Sequence, residues 1–261
     1  MRAHIRFWWL ALATALVALI VLSACSRKLH NATTLVSIYG RAQVQFTNAF
    51  LLKPTEADFA DGFGYKYAPL IIQEVLNTNA PVDVSEVFVQ ESATVLNGKV
   101  HHQIAYVWQT PQRARQPGRM QGIRMTLNSA GLPVIWEVLT DSSGADIIYV
   151  SQSVEAAALR EFGSPLPGRH FAVERSMSDA PQVVVARVIE DGPAPMGPIV
   201  YLQAGTSDVS TIICRCMDAQ AKRLVGTVQF RLIASKSLMF SRAARGDGSS
   251  LEKRLRLPDG L

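Results

Sequence analysis

The chain is short of the residues on which most enzymes and metalloproteins are built. It holds three cysteines and five histidines among 261 residues. So few cysteines exclude a disulfide framework, and stability must come from ordinary burial. No second cysteine pair exists to complete a zinc site around Cys214 and Cys216. The phosphate-cradling glycine loop, the Gly-x-Ser-x-Gly elbow and the zinc-protease helix motif are all missing. Ser129, Ser142 and Ser210 have no histidine and acid at readable positions beside them. No internal repeat is visible, and no bound cofactor is expected.

Charge of either sign is also scarce. Lys and Arg number 26 against 21 Asp and Glu, a net +5. Setting aside Arg2 and Arg6 at the amino end leaves 24 basic residues against 21 acidic ones. So small an excess gives no nucleic-acid footprint. From Phe7 to Ala24 there is no charge at all, and the run ends in small residues at Ser23 and Ala24. Two arginines, an apolar run and a small-residue close make up a secretory signal peptide. A run of about 18 residues is also just long enough to span a bilayer as an uncleaved anchor.

Leu22-Ser23-Ala24-Cys25 resembles the lipobox of bacterial lipoproteins, an aliphatic residue and two small ones before an invariant cysteine. The resemblance covers the signal segment only. It implies cleavage before Cys25, a diacylglycerol on the Cys25 sulfur and acylation of the new amino terminus, with palmitate as an expected chain. Ser26 is not the aspartate associated with inner-membrane retention, so the implied address is the extracytoplasmic side, leaning to an outer membrane. The expected organisation is a signal over 1–24, a lipid-anchored tether over 25–34, one globular domain over 35–240 and a basic, partly disordered tail over 241–261.

Inside the domain the clearest signal is Asn97-Gly98 between Val84–Leu96 and Lys99–Trp108, the pair suited to a two-residue type I′ hairpin. With Leu96 opposite Lys99, Val87 falls opposite Trp108, Val89 opposite Tyr106, Glu91 opposite Ile104 and Ala93 opposite His102. Gly122–Leu127 and Leu132–Leu139 form a second hairpin, and Asp146–Ser151 returns with Tyr149 opposite Trp136. One greasy face runs along this meander. A helix over Val154–Phe162 starts at Ser153 and stops at Gly163. Short helices are expected at Leu70–Asn77 and over Val209 to about Arg223, and strands at His170–Glu174, Gln182–Glu190, Ile199–Ala204 and Leu224–Ala234. Leu35–Phe50 has no readable period, and the acids at Glu56, Asp58 and Asp61 read as a helix start and solvated turn. The fold class is therefore α+β: an antiparallel meander with a few helices packed on one face, in a single domain.

Three constellations carry candidate chemistry. Glu91 and His102 are diagonal neighbours on the greasy face, where a carboxylate beside an imidazole in a dry setting can serve as a general base or stand as a structural ion pair. Cys214 and Cys216 point the same way in a strand but diverge on a helix; a strand or a loop suits a redox pair or a soft-metal site, against the plainer readings of two buried free thiols or a tight structural disulfide. Arg113, Arg115, Arg119 and Arg124, with the basic tail, can bind anionic surfaces. No complete catalytic set is readable. The expectation is a non-catalytic binding or assembly module held at the membrane through its lipid, its partner an envelope protein or an anionic lipid or glycan, with no nucleic acid. The alternative is an envelope enzyme or thiol-redox protein using Glu91/His102 or Cys214/Cys216.

Overall fold

The structure is a computed structural model, and it describes residues 32–41, 44, 46–55, 63–79, 82, 84–110, 120–139, 145–175, 183–216, 221–235 and 248–261. Cys25, the acids at 56–61 and Arg113, Arg115 and Arg119 lie outside the described residues. The rest is mainly β and not the expected α+β, because runs expected as helices are strands, and the one sheet is curled until it is nearly a closed barrel. Its eleven strands run in the order β10-β9-β2-β1-β11-β3-β4-β5-β6-β7-β8.

The middle of that order is the meander. Strands β3 (Glu86–Leu96), β4 (Lys99–Gln109), β5 (Met120–Leu127), β6 (Pro133–Leu139) and β7 (Asp146–Ser151) pair antiparallel in chain order. Asn97 and Gly98 both take positive φ, 48° and 74°, as a type I′ turn requires. The register is the one the alternation predicts, with Val87 opposite Trp108, Val89 opposite Tyr106, Glu91 opposite Ile104, Ala93 opposite His102 and Trp136 opposite Tyr149. Val87, Val89, Ile104, Tyr106, Trp108, Ile123, Met125, Trp136 and Tyr149 are all buried in one core, on the concave face. Slipping any one strand by a residue would turn its share of this set outward, so the apolar pattern holds the register.

The flanks depart from a meander. β1 (Ala49–Pro54) pairs antiparallel with β2 (Leu70–Glu74) but parallel with β11 (Leu224–Ala234). β11 then uses Arg231–Ala234 to pair parallel with β3, so a single long strand joins the two halves of the sheet. β2 pairs parallel with β9 (Ile199–Leu202), β9 antiparallel with β10 (Val209–Ile213), and β7 parallel with β8 (Val183–Ile189). Two expected helices are therefore strands, Leu70–Glu74 and Val209–Ile213. Both are buried on their two faces, and a continuous apolar run such as Leu70-Ile71-Ile72 has no period to tell helix from strand. The expected strand at His170–Glu174 is irregular and makes one bridge, Glu174 to Leu255.

The seam between the end strands β8 and β10 is closed from inside by α1 (Ala32–Tyr39), whose Leu35 and Tyr39 enter the main core. Tyr149 donates its hydroxyl to Tyr39 O at 3.0 Å, and Thr211 to Arg41 O at 2.9 Å. At Gly40 a Cβ would lie 2.6 Å from Ala186 O, so only glycine lets the helix end press against β8. The short helix α2 (Phe63–Lys66) precedes β2, and Tyr106 reaches it with a 2.6 Å hydrogen bond to Gly64 O.

The convex face carries a second core. α3 (Gln152–Phe162) starts two residues earlier than expected, capped by Ser151, which accepts from Val154 N, and it stops at Gly163 with φ 76°. Its Val154 and Ala158 lie on Ile148, Val150 and Val185, not on the concave face. Over the same face runs the carboxyl-terminal segment, a helix α4 (Gly248–Arg254) and an extended strap to Leu261. This stretch of the tail is ordered, and the cause is plain: Leu251, Leu255, Leu257 and Leu261 are all buried in the second core. Burying four leucines contributes about 1.5–3 kcal/mol each before the cost of ordering the chain, enough to outweigh the solubility of the basic residues between them.

Candidate functional site

β3 and β4 bury different faces along their length. Near the base, Val87 and Val89 face the concave core; near the tip, Thr94 and Leu96 face the strap while Glu91, Ala93 and Val95 are exposed. The hairpin tip thus overhangs the core. Glu91 and His102 sit on that overhang, with Glu91 Oε2 3.5 Å from His102 Nε2 and side chains 43 % and 41 % exposed. The structure brings the pair together as the register predicts, on a half-exposed overhang and not in an enclosed pocket, although His102 Nε2 itself is shielded from solvent. Nearby, burial and then the charges of Glu91 and Tyr67 push the Tyr106 phenol well above its ordinary range, so it stays a proton donor to Gly64 O.

Arg124 is not part of a surface loop. It lies in β5, buried on the convex face, and forks onto Glu137 with Nε–Oε2 2.6 Å and Nη2–Oε1 2.7 Å. Arg254 of α4 reaches the same carboxylate at 2.5 Å and Asp146 at 3.1 Å. Burial alone would raise the Glu137 carboxyl, but Arg124 and then Arg254 hold it below the usual carboxylate range. Arg124 is therefore withdrawn from the anionic-surface set: a cross-strand partner at Glu137, invisible in a linear reading of basic residues, occupies it. His101, next in the strand to His102, is buried with Nδ1 3.0 Å from Leu127 O, which leaves its Nε2 without a hydrogen-bond partner.

Cys214 and Cys216 are joined by a disulfide just beyond β10. Cys214 is 6 % exposed and Cys216 lies at the surface. Among the described residues no group of three or more His, Cys, Asp or Glu is placed to hold a metal ion.

A concave site the sequence did not reveal lies where the strap crosses the hairpin tip and the end of α3. It is a groove of about 530 Å³ with Phe162, Leu166, Leu255 and Leu257 along its apolar side. Arg175 and Arg256 supply guanidinium groups. Arg256 stacks 4.7 Å over the Phe162 ring and donates to Phe162 O at 3.1 Å, while Arg175 Nε donates to Leu255 O at 3.2 Å. Three carboxylates share the rim: Glu252 accepts from Asn97 N at 2.5 Å, Glu161 accepts from Asp259 N at 3.0 Å, and Asp259 is the third. Asn97 Nδ2 donates to Leu257 O and Pro258 O, both at 3.1 Å. The missed signal was the spacing of Leu251, Leu255 and Leu257 inside an otherwise polar and basic tail.

No family model, curated protein or solved structure matches this chain. Among the described residues no helix is long and apolar enough to cross a membrane, a statement that does not reach the apolar run at Phe7–Ala24.

Proposed function

We propose that the chain is a cell-envelope lipoprotein, held on the extracytoplasmic side of a membrane through Cys25, whose domain is a non-catalytic binding module. The groove beneath the strap carries this reading. Its volume, about 530 Å³, falls in the range of small-molecule sites, and an apolar wall beside two arginines suits an amphipathic ligand with an anionic head. A lipid or glycolipid component of the envelope has that chemistry. Only residues 26–31 separate Cys25 from α1, a reach of roughly 20 Å at full extension, so the domain would stay close to the surface that holds such ligands. Arg113, Arg115 and Arg119 add a basic loop that can meet the same anionic surface.

The test has two arms. Cys25→Ser should move the full-length chain from the membrane fraction and abolish acyl labelling; unchanged partition and processing would remove the anchor from the proposal. Titration of the detergent-solubilised chain with short-chain phosphatidylglycerol should show saturable binding that Leu166→Trp, which fills the groove, weakens about tenfold or more, with short-chain phosphatidylcholine binding less tightly. Equal affinity for the two lipids, or no effect of Leu166→Trp, would remove the groove.

A further inference from the structure

The disulfide between Cys214 and Cys216 has no part in the binding reading. As a staple it does little, because a cross-link restrains the unfolded chain in proportion to the logarithm of the loop it closes, and these cysteines are 2 apart in sequence. It ties no two elements of the fold together.

What it has is asymmetry. Cys214 is packed in the main core and Cys216 is exposed at the surface. Thiol–disulfide exchange proceeds by attack of a thiolate on an accessible sulfur, with the other sulfur leaving. The leaving sulfur is provided for. Cys216 N–H donates to Cys214 Sγ at 3.2 Å, a bond that strengthens once that sulfur is negative. Gly192 comes so close that a Cβ there would be 3.6 Å from Cys214 Sγ, and the loop it belongs to covers the buried sulfur. A cavity of about 20 Å³ bordered by Cys214, Trp136 and Arg215 has room for a single water.

We propose that Cys214-Arg215-Cys216 is a thiol–disulfide exchange site that takes two electrons from a dithiol partner, entering at Cys216. A partner thiolate attacks Cys216 Sγ. The Cys214–Cys216 bond breaks as the partner–Cys216 bond forms, and its electron pair stays on Cys214 as a thiolate. The partner's second thiol, after losing its proton, attacks the partner sulfur of the mixed disulfide and releases Cys216 as a thiolate. The partner departs as its own disulfide, and the two protons it gave up return through solvent to Cys214 and Cys216. Run backwards, the same steps let the reduced Cys214/Cys216 pair take a disulfide from an oxidised partner and release that partner as a dithiol.

The experiment uses the full-length Cys25→Ser chain, which keeps only the two thiols in question. It is exposed briefly to reduced glutathione, quenched with acid, alkylated and mapped by mass spectrometry. The expected adduct sits on Cys216, roughly tenfold in excess over Cys214, and the excess disappears when the reaction is run in denaturant. Buffers of mixed reduced and oxidised glutathione should carry the native chain reversibly between disulfide and dithiol. Cys214→Ala should retain a glutathione adduct on Cys216 that dithiothreitol removes. A bond that resists excess reduced glutathione in the native chain, an adduct on Cys214, or the same preference in denaturant would each overturn the proposal; the first and third need no variant to fold.

Discussion

The two halves of the sheet are built by different rules. From β3 to β7 each strand pairs with the next one in the chain, through connections of two to ten residues, and the apolar alternation faces one core. The half made of β1, β2, β9, β10 and β11 keeps β1–β2 and β9–β10 as antiparallel pairs of consecutive strands but joins them by parallel pairs from far apart: Leu52 lies beside Val228, and Ile71 beside Val200. Local pairing closes short loops and fixes register early, whereas distant parallel pairing must wait for long loops to close. The meander can be read as a frame, and the distant half as what completes it.

That contrast can be strained hardest through the ion network on the convex face. Glu137→Leu removes the carboxylate shared by Arg124 and Arg254, leaving the buried Arg124 guanidinium without it and the partly buried Arg254 with Asp146 alone. A loss of about 3–5 kcal/mol is expected in urea unfolding, and Arg124→Met in the same chain should return part of it. The pH dependence follows from the same group. Its folded carboxyl sits below the unfolded one, so its contribution is present above the ordinary carboxylate range and is lost as pH falls through the folded value. Stability of Glu137→Leu should fall less steeply on acidification than that of the parent chain.

A matched pair of glycines sharpens the comparison. In the meander a Cβ at Gly122 would come within 2.2 Å of Tyr106 O; in the other half a Cβ at Gly197 would come within 2.1 Å of Tyr67 O. Each alanine substitution should cost about 2–3 kcal/mol, since the obstacle is backbone and cannot swing aside. If β11 makes the halves one cooperative unit, both variants shift a single transition. A separate early transition in Gly197→Ala alone, followed by hydrogen exchange, would show the distant half opening while the meander stands.

The smallest effect is expected on the overhang. Glu91→Gln and His102→Ala break an ion pair between half-exposed side chains, and each should change stability by less than about 1 kcal/mol. A larger loss in thermal unfolding would mean the overhang supports more of the frame than its exposure implies.

The same division explains what could be read in advance. Asn97-Gly98 sets where β3 ends and β4 begins, and alternation over Val87, Val89, Tyr106 and Trp108 then determines which residues meet. Nothing local says that β11 will lie between β1 and β3, or that Leu70–Glu74 is a strand, because a run buried on both faces has no period. The strap was missed for a related reason. Its four leucines are spaced among arginines and a lysine that suggest solvent, and only the cross-strand carboxylate at Glu137 and the bare convex face of β6 and β7 make their burial favourable. Glu91 and His102 were correctly placed as neighbours, but their wetness depends on where the core ends, a property of the curled sheet and not of the two strands.

The hydrogen bonds from Asn97 to the strap also bear on chemical ageing. An asparagine followed by glycine is the pair whose side-chain amide is most readily lost, through cyclisation onto the next backbone nitrogen. Here that amide is occupied, giving its two N–H groups to Leu257 O and Pro258 O. While the strap is seated the reaction is held back; once it has happened, a carboxylate faces two carbonyl oxygens and the strap cannot reseat as before. Each unprotected interval would leave a permanent mark, so the fraction of deamidated Asn97 records how long the strap has been away.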